Sequence, residues 1–295
     1  MSEPAGPARN VLIFGGANTG KSAYIFQLYG RLNAGHARLK LRYQPDDLSL
    51  IVVGYDRLSA GLPPEHTTSG ASAAVILPVL GPDGEPFDVL YPDYAGEQVD
   101  DMVDKRQIST EWKARVQSAP TWLVFLRLDH LHDPKDVVTT PLEPGIPSAT
   151  ATTGEANGSP AQGALGDQAR TVEALQLLLH VGGGGASEPV RRPTLAVVLS
   201  CWDELAVDEG VTPQSVLRER LPLVDAFVRA NWHPDATVTY GLSAQGKPLT
   251  SGAPDDEFID RGPEAMGYVV EPDGRRDPDL TRPLFDALNR TAAAA

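Results

Sequence analysis

The stretch NVLIFGGANTGKSAYIFQLYGRL, residues 10–32, joins a short apolar run, a glycine-rich loop and a segment with helical periodicity. Residues 15–22 match the pattern G-x-x-x-x-G-K-[ST], whose glycines let backbone N–H groups converge on phosphate oxygens at a helix N-terminus. The apolar run at 11–15 predicts a buried strand before the loop, and the residues after it predict a helix over 21–32 that Gly35 ends. We therefore predict a strand, a loop and a helix that together bind a nucleoside triphosphate.

The positions of this loop have different expected contacts with the ligand. Lys21 would reach the β- and γ-phosphates, and Ser22 would bind a Mg²⁺ ion. Asn18, in the middle of the loop, is a residue type that tolerates tight backbone geometry. The predicted nucleotide-binding residues of the loop are Gly15, Asn18, Thr19, Gly20, Lys21, Ser22 and Ala23.

Strands and helices alternate along the rest of the chain. Apolar runs at 72–81 and 87–94 flank the sequence PDGEP and predict a hairpin, whereas residues 48–55 fit either a strand or a helix. The other predicted elements are buried strands at 121–128, 194–200 and 236–243, and helices at 99–119 (broken near Ile108, with Ser109 as a second N-cap), 167–181, 212–232 and 279–290. We therefore expect one α/β domain over residues 10–292.

Three segments do not fit a packed core. Residues 1–9 are expected to form a disordered lead, and residues 133–166 are dominated by Pro, Thr, Ser, Ala and Gly, with almost no large apolar residues. Such a composition cannot bury enough apolar surface to offset the entropy of ordering the chain, so we expect a disordered insertion there. The sequence GGGGASEPVRRP at 182–193 predicts a shorter flexible connector.

The composition restricts the class of protein. The chain has 295 residues, 41% hydrophobic and 22% charged, which is ordinary for a globular domain. Its net charge of −14 argues against nucleic acid or an anionic membrane as a partner of the whole surface, although a local basic cleft for a triphosphate is compatible with it. It has one cysteine, no apolar run near the roughly 18 residues of a membrane span and no signal-peptide pattern, so we expect a cytoplasmic protein.

Two further motifs predict contacts with the γ-phosphate and the metal. The loop PPEHTTSG at 63–70 holds Thr67 and Thr68, either of which could close over the γ-phosphate and Mg²⁺, and we favour Thr67. Asp93 ends the predicted strand FDVLYPD and begins D-Y-A-G-E, where a carboxylate can make a second Mg²⁺ contact. Gly96 in the same motif leaves an unobstructed backbone N–H to face the γ-phosphate.

Two short motifs at later strand ends concern the base. In VVLSCWDEL, Asp203 follows a predicted buried strand, and its carboxylate can accept hydrogen bonds from N1–H and N2–H₂ of guanine, an arrangement that adenine lacks. In YGLSAQGK, a backbone N–H beside Ser243 could meet guanine O6. Trp202 packs either near the base or in the core, and we expect the core. The predicted base-binding residues are Cys201, Asp203, Ser243, Ala244 and Gln245.

The order of these motifs is more informative than any one of them. With its phosphate loop, threonine loop, D-x-x-G, S-C-W-D and S-A-Q in sequence, the chain resembles the Ras-like P-loop GTPases of the translation-factor-related class over nearly its whole length. Its long first switch region, its insertion and its ending GYVVEPDGRRDPDLTRPL are similar to bacterial double-GTPase-type proteins. The resemblance implies a three-layer α/β fold: a mixed, mostly parallel sheet of about six strands with helices on both faces and the nucleotide at the strands' carboxyl ends.

The same resemblance implies a molecular switch that binds GTP with Mg²⁺ and hydrolyses GTP to GDP. It also implies a protein effector or activator, and a homodimer is one form that this partnership could take. The catalytic residues that the resemblance implies are Lys21, Thr67, Gly96 and Glu97, and the implied metal ligands are Ser22, Thr67 and Asp93.

Three positions qualify this resemblance. Glu97 stands where a water-orienting Gln is usual, and a carboxylate beside the γ-phosphate predicts slow intrinsic hydrolysis that a partner or self-association would stimulate. Cys201 stands where a Lys usually covers the base, which puts the affinity in doubt. Asn18 matches the Asn that holds a monovalent cation in dimer-activated, potassium-stimulated GTPases, and its oxygen suits K⁺. Two alternatives stay open: a nucleotide-binding scaffold with negligible hydrolysis, and an ATP-using P-loop enzyme.

Overall fold

The computed structural model describes residues 9–35, 37–64, 74–81, 83–92, 97–129, 131, 166–184 and 188–293. Several predictions fall outside these ranges, so their outcome stays open. The residues concerned are Thr67, Thr68, Asp93, Gly96, residues 1–8 of the predicted lead and nearly all of the predicted insertion at 133–166.

One mixed sheet runs through the described part of the chain. Its five central strands are parallel, and every pairing outside them is antiparallel. In chain order the strands are β1 (Arg9–Phe14), β2 (Lys40–Leu41), β3 (Ala74–Leu80), β4 (Pro86–Pro92), β5 (Thr121–Arg127), β6 (Thr194–Ser200), β7 (Thr237–Ser243), β8 (Tyr268–Val270) and β9 (Arg276–Asp277). Across the sheet they lie in the order β2-β3-β4-β1-β5-β6-β7-β8-β9.

Two layers of helices cover the two faces of this sheet. The helices are α1 (Lys21–Ala34), α2 (Ser49–Ser59), α3 (Glu97–Lys105), α4 (Thr110–Ser118), α5 (Asp167–Val181), α6 (Pro213–Arg220), α7 (Pro222–Asn231), α8 (Asp256–Arg261) and α9 (Arg282–Ala293). Helices α1, α2, α8 and α9 pack on one face, and α3 to α7 pack on the other. The predicted mixed sheet with helices on both faces is therefore confirmed.

The central strands are apolar along their whole length because both faces of the sheet are covered. In β1, Val11 and Ile13 lie in the core beneath α1, whereas Leu12 and Phe14 lie in the core beneath α3 to α7. All four side chains are at most 2% exposed. This explains why continuous apolar runs, rather than alternating ones, marked the strands in the sequence.

The predicted number of strands, about six, was wrong, since nine are present among the described residues. The additional strands β2, β8 and β9 have only two or three residues each. Segments so short show no periodicity of their own, and they are strands because they pair with an edge that the longer strands create.

Most of the other predicted elements are confirmed. The hairpin is formed by β3 and β4, and Ser109 caps α4 by accepting a hydrogen bond from the backbone N–H of Trp112 at 3.2 Å. The ambiguous segment 48–55 is helical from Ser49, where α2 begins. The predicted single helix at 212–232 was wrong, because α6 ends at Arg220 and Pro222 begins a second helix, α7. No described helix is both long and apolar enough to cross a membrane.

Candidate functional site

The phosphate loop, residues 15–20, leaves the carboxyl end of β1 and enters α1. Gly20 is the N-cap of α1 with a φ of 74°, a left-handed conformation that residues with a Cβ rarely adopt. Gly15 packs against β5 so closely that a Cβ there would lie 2.5 Å from the carbonyl oxygen of Phe125. The two glycines therefore fix the loop against the sheet and leave the first N–H groups of α1 at its centre.

Lys21 is buried at the base of this loop and is only 8% exposed. Its Nζ donates to the carbonyl oxygens of Gly15 at 2.9 Å and Gly16 at 2.5 Å, and to Oγ1 of Thr19 at 2.9 Å. Burial lowers the pKa of Lys21 to about 8, and the negative charge of Asp100 opposes this shift. A largely buried ammonium group next to a helix N-terminus fits the phosphates of a nucleotide, which is the ligand that the motif predicted.

Ser22 is the one predicted metal ligand that the described residues include. Its hydroxyl group forms a hydrogen bond of 2.7 Å with the hydroxyl group of Tyr91, near the end of β4. Tyr91 could not be identified as this partner from the sequence, because the contact depends on β4 lying beside β1. A hydroxyl oxygen at this position fits Mg²⁺, while the other two predicted ligands, Thr67 and Asp93, lie outside the described residues. Of Glu97, only its position as the first residue of α3 is described.

The predicted base-binding residues lie at the ends of β6 and β7. These strands are parallel neighbours, so their carboxyl ends meet at the same edge of the sheet. Asp203 is half-buried in a 3₁₀ turn, Trp202–Glu204, that directly follows β6 and Cys201. Ser243 is buried at the end of β7, and its Oγ accepts a hydrogen bond of 2.8 Å from the N–H of Gly246, which shapes the loop holding the half-buried Ala244 and Gln245.

Trp202, beside the site, and Trp112, on α4, are both parts of the core. Trp202 is 4% exposed and packs directly over β7, where a Cβ at Gly241 would lie 2.4 Å from its ring. The expectation that Trp202 packs in the core is therefore confirmed. Trp112 on α4 is 5% exposed, and its Nε1 donates to Oε1 of Gln98 on α3 at 3.0 Å. It thus joins two helices of one layer.

The phosphate loop and the turn with Asp203 lie against each other. A Cβ at Gly20 would lie 3.7 Å from Cβ of Ser200 and 3.8 Å from Sγ of Cys201. Lys21 and Asp203 are 182 positions apart in the chain, yet they lie next to adjacent loops at the carboxyl ends of the parallel strands. A single ligand with phosphates at one end and a base at the other fits this arrangement.

Arg127, the last residue of β5, contacts both loops, and the sequence analysis missed it. Its Nη1 donates to the carbonyl oxygen of Asn18 at 3.3 Å, and its Nη2 donates to Oε2 of Glu204 at 2.8 Å. Its Nε and Nη2 also donate to the two carboxylate oxygens of Asp129, each at 2.8 Å. The available signal was an arginine at the end of the otherwise apolar strand TWLVFLR.

Asn18 is exposed, and its φ of 56° lies in the left-handed region. Asn and Gly adopt this conformation more readily than other residues. The conformational interpretation of Asn18 is thus sufficient to explain the residue type at this position.

A cavity of about 500 Å³ opens beside the phosphate loop, between that loop, α3 and α5. Arg170 of α5 and Asp100 of α3 line this cavity and form an ion pair, with Nη2 of Arg170 3.1 Å from Oδ1 of Asp100. Nη1 of Arg170 also lies 2.7 Å from Oδ1 of Asp104 on α3. Arg170 holds the pKa of Asp104 below its usual range. The negative charge of Asp100 also raises the pKa of Lys21. The ion pair of Arg170 with Asp100 therefore links α5 to the phosphate site.

Several solved structures are similar to this one at low sequence identity. The Arl6 BBS3 small GTPase from Trypanosoma brucei, with bound GppNp, is 11% identical, with a TM-score of 0.37 and coverage of 81% of this chain and 88% of that chain. The S. cerevisiae Ski7 GTPase-like domain, bound to GTP, is 12% identical, with a TM-score of 0.48 and coverage of 98% and 51%. The SRb-GTP/SRX signal recognition particle receptor complex from Chaetomium thermophilum is 14% identical, with a TM-score of 0.40 and coverage of 83% and 95%.

A comparison with curated proteins gave no match. The decisive match is to a family model, Double-GTPase 1 (DO-GTPase1), which covers residues 12–287. This range begins inside β1, ends inside α9 and contains every residue of the site described above. The resemblance to Ras-like, double-GTPase-type proteins is thereby confirmed, and the chain is a GTP-binding G-domain protein that belongs to the Double-GTPase 1 family.

Proposed function

We propose that the protein is a Mg²⁺-dependent GTPase that works as a molecular switch. The observation that carries this proposal is the contact between two loops, one holding the buried ammonium group of Lys21 and the other holding Asp203. The first fits phosphates, and the carboxylate of the second fits the N1–H and N2–H₂ donors of guanine.

The experiment that tests this proposal is a competition between GDP and ADP for the protein. A fluorescent GDP analogue is bound first, and unlabelled GDP or ADP is then titrated in the presence of Mg²⁺. We expect GDP to displace the analogue at a concentration at least about 100-fold lower than ADP, because adenine lacks the two donors that Asp203 accepts. Equal displacement, or a preference for ADP, would support an ATP-using P-loop enzyme instead.

Each of the described site residues has its own proposed contact with the nucleotide or the metal. Lys21 would exchange its bonds to the loop carbonyls for bonds to the β- and γ-phosphates. Asp203 would orient the base, and the backbone N–H of Ala244 would meet guanine O6. Ser22 would release Tyr91 to hold Mg²⁺. Mg²⁺, when bound, neutralises charge on the phosphates, and Thr67 and Asp93 are its other proposed ligands.

We further propose that intrinsic hydrolysis is slow and that a partner stimulates it. The support is the identity of Glu97, the first residue of α3, where a Gln would orient the attacking water. A protein activator or a second copy of the chain could supply the water-orienting group that Glu97 does not provide. K⁺ held by Asn18 is another way in which hydrolysis could be stimulated. Residues 56–70 and 93–108 are the segments that GTP would order and hydrolysis would release. We also propose that the protein is cytoplasmic, that it has a single domain and that its insertion at 133–166 is disordered.

Replacing Glu97 with Gln should accelerate the release of phosphate from GTP. The substitution removes a negative charge next to the γ-phosphate and supplies a group that can orient water, so we expect an increase of about tenfold or more. Single-turnover phosphate release at saturating GTP measures this rate, with Glu111→Gln, an exposed position on α4, as the matched control. Parallel reactions in KCl and NaCl measure any contribution of K⁺.

The same assay separates the switch from a second candidate function. Glu97 also favours a scaffold that binds guanine nucleotide but barely hydrolyses it. If neither the native chain nor the Glu97→Gln variant releases phosphate above the rate in buffer, the scaffold describes the protein and the proposed hydrolysis is wrong.

A further inference from the structure

We propose that Arg127 is a positioning residue for the bound guanine nucleotide and supplies the cation that Cys201 omits from the guanine motif. This inference rests on the proposed guanine-nucleotide site. Arg127 lies on β5, outside every motif that the sequence analysis identified, and its guanidinium group stands between the phosphate loop and the turn that holds Asp203.

The contacts of Arg127 hold it in one position. Its side chain is 23% exposed, and it bonds a backbone carbonyl of the phosphate loop, both oxygens of Asp129 and one oxygen of Glu204. A planar guanidinium group suits such a set of acceptors, since its donors diverge at fixed angles. Residues from three separate loops are therefore held together by one side chain.

The first consequence concerns the shape of the phosphate loop. Arg127 bonds the carbonyl oxygen of Asn18, whose backbone is in the left-handed region with a φ of 56°. Fixing this carbonyl fixes the peptide plane, and with it the direction of the following N–H group, that of Thr19. The loop that must surround the phosphates is thereby held in shape before the nucleotide arrives.

The second consequence concerns charge. Asp129 and Glu204 stand beside the phosphate loop, in a chain whose net charge is −14. The two carboxyl groups stand close together, because Nη2 of Arg127 donates to Oδ2 of Asp129 and to Oε2 of Glu204, each at 2.8 Å. Burial and a hydrogen bond with Asp129 also raise the pKa of Glu204. Without the guanidinium group between them, they would repel an incoming triphosphate.

The side chain of Cys201 lies beside the same loop. Its Sγ approaches the phosphate loop at Gly20. A long cationic side chain at position 201 would therefore start next to this loop, which Arg127 contacts from β5. Burial raises the pKa of the Cys201 thiol to about 12, while the nearby charge of Arg127 acts against this shift. Cys201 and Arg127 approach the same loop, one at Gly20 and the other at the carbonyl oxygen of Asn18, so a lysine at 201 should be able to replace the charge of Arg127.

The test measures the dissociation rate of a fluorescent GDP analogue from the full chain in the presence of Mg²⁺. Arg127→Ala should accelerate dissociation about tenfold or more, the effect of losing a hydrogen bond to a charged group. Arg127→Lys should have a smaller effect, because it keeps the charge but not the planar fork. The double variant Arg127→Ala with Cys201→Lys should return to within about threefold of the native rate, a rescue that a merely structural role of Arg127 would not produce.

The matched control is Arg191→Ala. Arg191 is 58% exposed and pairs with Asp235 at 3.8 Å just before the start of β6, at the opposite edge of the sheet from the site. We expect a native dissociation rate for this variant. Thermal unfolding is recorded for every variant, and Arg127→Gln, with the same expected outcomes, replaces Arg127→Ala if the latter does not fold.

Two results would overturn the inference. One is a native dissociation rate for the variants without a cation at 127, and the other is accelerated dissociation that Cys201→Lys does not reverse. Neither result bears on the proposed function, which the competition between GDP and ADP and the phosphate-release assay test separately on the native chain.

Discussion

Replacing Lys21 with Met should weaken the binding of GTP and GDP by about 100-fold or more, roughly the effect of losing two hydrogen bonds to charged phosphate oxygens. Lys21 is the buried cation of the phosphate loop, and Met has a similar length without the charge. Equilibrium titration with fluorescent GDP and GTP analogues measures the loss. Lys113→Met is the matched control, because Lys113 is exposed on α4 and should bind nucleotide like the native chain.

The same substitution should leave the unfolding temperature of the nucleotide-free protein unchanged or raise it. Burial lowers the pKa of Lys21 to about 8, so at neutral pH the folded state carries a charge that folding disfavours. A group whose pKa is lower in the folded state costs stability below that pKa, and the cost disappears as the pH rises toward the pKa of the unfolded chain. A variant that keeps nucleotide affinity and loses stability would contradict the role given to Lys21.

The parts of the site that the sequence predicted are those whose geometry is local. Gly20 and Lys21 are close in the chain, and their loop needs only β1 before it and α1 after it. The Asp203 turn was predicted in the same way from the buried strand before it. Parallel pairing of β6 and β7 then brings the ends of these strands together, which the alternation of strands and helices already implied.

The parts that the sequence analysis missed depend on contacts between distant segments. Arg127 and Tyr91 each end or nearly end a strand, and nothing in their neighbours along the chain shows what lies opposite them. Arg170 looked like an ordinary charged residue of α5, and its role follows from the packing of α5 beside α3. The short strands β2, β8 and β9 were missed for the same physical reason, since only the edges of the sheet make them strands.

Replacing Asp203 with Asn should weaken GDP binding by about 10- to 100-fold and improve the binding of the xanthine nucleotide XDP. The carboxylate accepts from both N1–H and N2–H₂ of guanine, whereas the amide of Asn has one acceptor and would direct N–H groups at a donor. Xanthine carries a carbonyl oxygen where guanine carries its amino group. The amide can therefore accept from N1–H of xanthine and donate to that oxygen.

The expected result is an inversion of preference rather than a general loss of affinity, and this distinguishes a contact with the base from damage to the turn. Trp202 packs over β7 and anchors the turn independently of the carboxylate, so the substitution should not move Asp203's backbone. Displacement of a fluorescent nucleotide by GDP, XDP and ADP gives the three affinities. Asp208→Asn is the control, since Asp208 is exposed a few residues further along and should leave all three unchanged. An unchanged affinity for GDP in the Asp203→Asn variant would remove Asp203 from the base site, whereas an equal loss for GDP and XDP would mean that the turn itself had been disturbed.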